Sequence, residues 1–269
     1  MTLEEFELLK VKAGSYRYHS FEYLDYESVA DYKIIQADEV LLLIYGRNQE
    51  NGIDAAYWAA DDVRILAEGV KCLGSETLIN FIPGEWKEYL SEQGFSDYAM
   101  YREYWIDDIE SVLSLPTYSL LEEQEYEQAS RVTKSVKNQS RGFHGESTEW
   151  IGNWIKGENT NMDDITDCNI IVHRENGQVA GVACVGIYGH DSKKGAVLWL
   201  RELAVLQKLQ GKGIGRQLIM QSIGYGKSKG AKRAFLMADD CNINALGLYK
   251  STGFIPNDEI EINMVSNHM

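Results

Sequence analysis

The sequence predicts an α/β protein in which strands and helices alternate through two similar halves. Three observations carry that expectation. An apolar run at 197–206 leads into a glycine-rich turn, Gln210-Gly211-Lys212-Gly213-Ile214-Gly215, and then into helical periodicity, with Ile214, Leu218, Ile219, Ser222 and Ile223 on one face. Alternating segments at 169–174 and 178–188 bracket Glu175-Asn176-Gly177, which signals a hairpin. The order strand, helix, Gly-Phe, strand occurs twice, around Gly94-Phe95 and around Gly253-Phe254.

Taken in order, 40–45 is expected to be a strand, and Val63, Leu66, Ala67 and Val70 mark an amphipathic helix. Segment 77–82 reads as a strand, 86–93 as a helix and 98–106 as a strand. In this reading 40–45 is the counterpart of 198–205. A short break at Leu115-Pro116 separates a first domain, 1–115, from a second, 116–269. There, 118–121 is expected to open as a strand and 122–138 to be helical. Segment 147–155 reads as a short helix with Trp150, Ile151, Trp154 and Ile155 on one face. The hairpin, the 197–206 strand, the turn and its helix follow. Then come a strand at 233–239 and a last helix leading to Gly253-Phe254.

The glycine turn is the most informative stretch. Glycines leave no side chain to hold a ligand away from the backbone. The first-turn N–H groups of a helix have no partner inside it, and the dipole there is positive. Such a turn suits a phosphate or diphosphate. It is not a P-loop, since the chain has no Gly-x4-Gly-Lys-Ser/Thr string, and a dinucleotide fingerprint needs a small residue where Arg216 stands.

The pattern Gln/Arg-x-x-Gly-x-Gly/Ala fits. With Glu202-Leu203-Ala204-Val205 before it, and Asn242 and Leu248-Tyr249-Lys250-Ser251-Thr252-Gly253-Phe254 after it, the chain resembles the GCN5-related N-acetyltransferase (GNAT) family from about 168 to 265. Together with the internal repeat, the resemblance implies two tandem acetyltransferase-like domains, each a mixed, mostly antiparallel twisted sheet flanked by helices. It implies acetyl-CoA as acyl donor substrate. The backbone of Leu203 and Val205 would orient the pantetheine arm, and Gln210, Gly211, Lys212, Gly213, Gly215 and Arg216 would hold the pyrophosphate. Asn242 would reach the cofactor by its side chain, and Tyr249 would stand near the sulfur as acid to the thiolate. A core tyrosine is the plainer reading of Tyr249, and a solvated helix start the plainer reading of Lys208, Lys212 and Arg216.

An attacking amine must lose a proton, because an ordinary alkylamine has a pKa of roughly 10. Strand alternation sets Glu202 and Ala204 opposite Leu203 and Val205, so Glu202 is a candidate base. A salt bridge with Arg201 explains it equally well. Arg141, Phe143, His144 and Trp150 are expected near the acceptor, and Asp239 and Asp240 read as turn residues. The expected activity is transfer of an acetyl group to a primary amine of a small-molecule or peptide acceptor. The alternative is a non-catalytic acyl-CoA sensor or scaffold.

Composition narrows the classes. Apolar residues make up 44% of the 269, enough for a core. There is no membrane-length apolar run. The start, Met1-Thr2-Leu3-Glu4-Glu5, does not look like a signal peptide. Cys72, Cys168, Cys184 and Cys241 are scattered and the five histidines lack ligand spacing, so neither a metal nor a disulfide framework is expected, and a cytoplasmic setting is. Up to Leu115 there are 9 basic and 23 acidic residues; from Pro116, 17 and 18. So acidic a chain argues against nucleic acid. The first half also lacks a glycine turn: Gly46 and Gly52 stand apart amid Gln49 and Glu50, and Asp54, Asp61 and Asp62 would repel a diphosphate. It is expected to be a degenerate domain without a CoA loop. Its acidity is either a solvated surface or a wall that attracts a cationic amine.

Overall fold

The computed structural model describes residues 1–22, 24–48, 52–137, 139–141, 143–158 and 164–267; Gln49, Glu50, Asn138 and His268 lie outside them. In chain order the elements are α1 (Leu3–Ala13), β1 (Tyr18–His19), α2 (Tyr26–Val29), β2 (Lys33–Ala37), β3 (Leu41–Arg47), β4 (Asp54–Ala60), α3 (Val63–Lys71) and β5 (Thr77–Ile79). Next are α4 (Lys87–Glu92), β6 (Phe95–Ile106), α5 (Tyr126–Lys134), α6 (Thr148–Lys156), β7 (Thr166–Glu175), β8 (Gln178–Tyr188) and β9 (Val197–Val205). The last are α7 (Ile214–Ser228), β10 (Arg233–Asp239), α8 (Ile243–Ser251) and β11 (Ile255–Ser266). They form two compact units, Met1–Tyr101 with Ile260–Met269, and Arg102–Glu259. A boundary at 115/116 was the sequence expectation. In the structure that segment packs on α7: Leu115 N donates to Met220 O (2.9 Å), and a Cβ on Gly224 would lie 2.0 Å from the Leu115 carbonyl oxygen.

In the first unit, β2, β3 and β4 run antiparallel, and β5 returns parallel to β4 with Ala55 opposite Leu78. The sheet is extended by β11, whose Met264, Val265 and Ser266 pair antiparallel with Ile79, Leu78 and Thr77. Alternation divides β3 between two cores. Leu41 and Leu43 pack with Trp58, Leu66, Val70 and Trp86; Leu42 and Ile44 pack with Phe6, Leu9 and Phe21. A capping box opens α1, Thr2 accepting from Glu5 N and Glu5 from Thr2 N. The strand that precedes α3 is β4, not 40–45, so 40–45 is not the counterpart of 198–205. The sequence Asp54-Ala-Ala-Tyr-Trp-Ala-Ala is rich in alanine, a weak strand former, which hid it.

In the second unit, β7, β8 and β9 run antiparallel, α7 crosses over, and β10 lies parallel to β9. Asn176 (φ 52°) and Gly177 (φ 75°) make the expected hairpin turn. One sheet face packs on α7 through Leu198, Leu200, Leu218 and Ile223. The other packs on α5 and α6 through Trp154, Val172, Val182 and Ala204. Residues 118–121 do not form a strand; only Leu120 bridges to Ile171. The helix expected over 122–138 is a 3₁₀ turn, Glu123–Glu125, followed by α5 ending at Lys134. Both units are α/β with mixed, mostly antiparallel sheets flanked by helices. No described helix is long and apolar enough to cross a membrane.

Candidate active site

Strand β9 changes its alternation once. Val185 faces Leu200 and the next residue, Cys184, faces Glu202, which leaves Arg201 as an extra, unpaired residue. Before this bulge Leu198 and Leu200 face α7; after it Leu203 and Val205 do. Arg201 and Glu202 therefore share the opposite face, although neighbours on a regular strand never do. A bulge also increases twist. Pairing of β9 with β10 is confined to 197–199 against 233–235, and beyond it the two strands part.

A cavity of about 440 Å³ occupies the gap, within the usual range for small-ligand sites. Leu203 and Val205 line it from β9, and Leu248, Tyr249, Asn242, Asn244 and Ala245 from the α8 side. Backbone direction is fixed by two bonds. Leu206 N donates to Ala180 O of β8 (2.9 Å), while Val205 O accepts Gln210 Nε2 (3.0 Å). Peptide groups alternate along a strand edge, so the backbone of Leu203 and Val205 faces away from β8.

The glycine turn forms one end of the cavity, with Gln210, Gly211, Gly213, Ile214, Gly215 and Arg216 in its wall. Gly211 (φ 76°) and Gly213 (φ 83°) are left-handed, and Gly213 begins α7 with no side-chain cap. Side chains there would meet open space, so it is the backbone angle that favours glycine. At Gly215 a Cβ would sit 3.0 Å from Leu248, so that glycine serves close approach. The first-turn N–H groups of α7 are thus presented to the cavity. Gln210 does not extend into it freely. Its amide bridges Val205 O and Gln139 (3.2 Å), tying the turn to the strand end. Arg216 donates to Ser251 (3.0 Å) on the rim. Lys212 is exposed and is not in the wall, and Lys208 lies on a separate shallow groove with Leu206 and Gln207.

At the other end, Asn242 caps α8, its Oδ1 accepting from Ala245 N (3.3 Å). Tyr249 stands between Tyr104 and Phe254, both ring centroids 6.3 Å away. Burial, with the Glu202 carboxylate adding to it, pushes its phenol above the usual value. Glu202 is not in the cavity wall. Its Oε1 accepts from Arg201 Nη1 (3.0 Å), which also donates to Glu146 (2.9 Å). The guanidinium lies 4.3 Å over the Trp150 ring, and Trp150 stacks on Trp154 (5.4 Å). Burial pushes the Glu202 carboxyl up to about 8; Arg201 opposes the rise and Glu146 reinforces it. The salt-bridge reading of Glu202 is therefore realised, with a second carboxylate that local pattern did not reveal.

Asp239 opens the expected turn, its carbonyl accepting from Asn242 N (3.0 Å) and its Oδ1 from Cys241 N (3.1 Å). Its side chain is also fully buried at the end of β10, where Arg141 grips it through Nε (3.0 Å) and Nη2 (2.7 Å). Burial alone would raise its carboxyl, but these bonds and those from Cys241 hold it down to about 2. Arg141 is thus committed to the fold. Phe143 and Trp150 are both half-buried against the core that includes α5 and α6, and His144 is half-buried. Gln139, Leu209 and Asn244 line the cavity without having been singled out. No described group of three or more His, Cys, Asp or Glu side chains is arranged to hold a metal ion.

Residues 141–254 match the model of the acetyltransferase (GNAT) family. The spermine/spermidine N(1)-acetyltransferase of Bacillus subtilis (strain 168) is 29% identical over 118 residues, which are 41% of this chain and 76% of that protein. A GCN5-related N-acetyltransferase from Sphaerobacter thermophilus superposes with TM-score 0.57 at 12% identity, covering 84% of this chain and 76% of that one. An acetyltransferase from the GNAT family of Colwellia psychrerythraea gives 0.56 at 11%, covering 100% and 98%. At such identities the superpositions speak to fold.

Proposed function

We propose, from the premise that the chain belongs to the GNAT acetyltransferase family through residues 141–254, that it moves an acetyl group from acetyl-CoA to a primary amine of a small cationic acceptor. The single observation that carries this reading is the cavity that runs from the bare N-terminus of α7 to Tyr249. Its glycine end offers backbone N–H groups and Arg216 to a diphosphate. Its middle offers the outward backbone of Leu203 and Val205, and apolar Leu209 and Leu248, to a pantetheine arm. The likeness to a spermine/spermidine acetyltransferase supports a polyamine-like acceptor.

In the proposed reaction the amine nitrogen bonds to the thioester carbon, the C–S bond breaks, and CoA leaves as thiolate. The amine proton passes to Glu202 by way of a water, since Glu202 stands outside the cavity wall, and a carboxyl at about 8 matches a base working around neutral pH. Tyr249 has a different role from a full proton donor. An ordinary thiol has a pKa of roughly 8.5, well below the raised phenol. Complete transfer to the thiolate is uphill, so Tyr249 stabilises the leaving sulfur by donating a hydrogen bond.

The first unit repeats the order of three antiparallel strands, helix and parallel strand. Where the second has its glycine turn, the first has Asp61-Asp62, and Asp62 itself accepts from Arg64 N (2.9 Å) to cap α3. We take it as a degenerate acetyltransferase-like domain that binds no CoA. The test is release of CoA thiol from acetyl-CoA with a panel of polyamines, amino sugars and peptide amines, with product mass. One CoA per chain and an acceptor heavier by one acetyl group are expected. Binding without turnover on any amine would favour a sensor or scaffold, and two CoA per chain would overturn the division of roles.

A further inference from the structure

Glu146 sits in the loop between α5 and α6, and its anchoring is far stronger than a connection needs. Its N–H donates to Thr133 Oγ1 (2.8 Å) and its carbonyl accepts from Ser130 Oγ (2.7 Å). Both partners are buried on α5. The preceding Gly145 has φ 80°, and a Cβ there would lie 2.6 Å from the Lys134 backbone. The loop is pressed onto α5 at a point only glycine fits, and the Glu146 carboxylate is thereby held 2.9 Å from Arg201 Nη1. Glu202 reaches that same nitrogen at 3.0 Å. One guanidinium nitrogen serves two carboxylates, and Trp150 covers its face.

The groups that face Glu202 are Arg201 from its own strand, Glu146 from the loop, Cys184 from β8 and Tyr249 from α8. Cys184 and Tyr249 are neutral near pH 7, because burial pushes both upward. The charge acting on Glu202 is therefore that of Arg201 and Glu146 alone.

We propose that Glu146 is a positioning residue that sets the proton affinity of Glu202, by sharing Arg201 with it and by facing it with a second negative charge. Two carboxylates on one cation cannot both ionise at their ordinary cost. Glu146, fixed by its backbone, keeps Glu202 protonated until higher pH, in the range where an amine proton is exchanged usefully. The inference rests on the reading of Glu202 as the base, and the experiment separates the two.

The Glu202 carboxyl is titrated by ¹³C NMR in the full chain, assigned by its loss in Glu202→Gln. The acidic limb of kcat/KM is measured with one fixed amine. Glu146→Gln keeps a hydrogen bond to Arg201 and both backbone anchors while removing the charge. It is expected to lower the Glu202 midpoint by about one pH unit, a tenfold loss of proton affinity, and to move the kinetic limb with it. Glu146→Ala, which frees Arg201 for Glu202 alone, is expected to move both in the same direction. Arg201→Gln is expected to move both the opposite way. A midpoint unmoved in folded Glu146→Gln, or moved in the same direction by Arg201→Gln, overturns the proposal. A midpoint that moves while the limb stays supports it and removes Glu202 as the base.

Discussion

Replacing Gly213 by alanine and by aspartate separates what the backbone angle contributes from what an uncharged, open turn contributes. Gly213 has φ 83° and its Cβ would meet nothing within 4 Å, so neither variant clashes. Both bear the strain of a left-handed L-residue, about 1–2 kcal/mol, with aspartate at the lower end. The ligand feels them differently. A carboxylate roughly 6 Å from a phosphate oxygen, at an effective dielectric of about 20, is repelled by about 3 kcal/mol. Salt at this exposed rim reduces that to about half, and about 1.4 kcal/mol is tenfold in affinity. Calorimetric titration with acetyl-CoA is expected to give Gly213→Ala within about threefold of the parent and Gly213→Asp at least about tenfold weaker. Melting temperatures of the two should be similar. If folded Gly213→Asp binds acetyl-CoA as tightly as Gly213→Ala, the turn does not hold the diphosphate and the reasoning fails.

Tyr249→Phe should leave acetyl-CoA affinity nearly intact and lower single-turnover acetyl transfer about a hundredfold, the scale of one lost transition-state donor; parent rates would leave Tyr249 as packing. Glu202→Gln should abolish most turnover yet stabilise the fold at high pH. A carboxyl raised to about 8 contributes stability that is complete below its unfolded value near 4.5 and is lost as pH rises through 8. The melting-temperature advantage of the glutamine variant should therefore grow from pH 5 to pH 9, and a gap independent of pH would contradict it. Arg141→Ala leaves Asp239 buried and unpaired, at a cost of about 3 kcal/mol in urea unfolding, the low end for such pairs because Arg141 is 36% exposed. Asp239 is depressed to about 2, so its contribution stands above about 4 and is lost as pH falls toward 2; the variant should show a flatter acid limb.

The second unit was legible because its signals are local. A hairpin turn, a glycine-rich helix start and the Gly253-Phe254 corner each depend on residues within a few positions of one another. The cavity wall followed from them, with Gln210, Gly211, Gly213, Gly215, Asn242 and Tyr249 in it. What stayed hidden depends on distance or on a single inserted residue. The turn at Asp239 could be read locally, but its buried pairing with Arg141 could not, because Arg141 lies 98 positions away. Glu146 drew no notice because its role arises from Thr133, Ser130 and Arg201 together. The bulge at Arg201 is invisible in pattern, since one extra residue only looks like a break in alternation. In the first unit, β4 was missed because alanine carries little strand signal.

The pairing of β5 with β11 joins Thr77 to Ser266, 189 positions apart. A ribosome adds roughly 5–20 residues each second, so Thr77 emerges many seconds before its neighbour exists. The unit made first is the one that closes last. Until then β5 offers an unpaired edge, a template for any passing strand. Synthesis order and completion order run opposite ways here, which leaves β5, made long before its partner, in need of chaperone shelter.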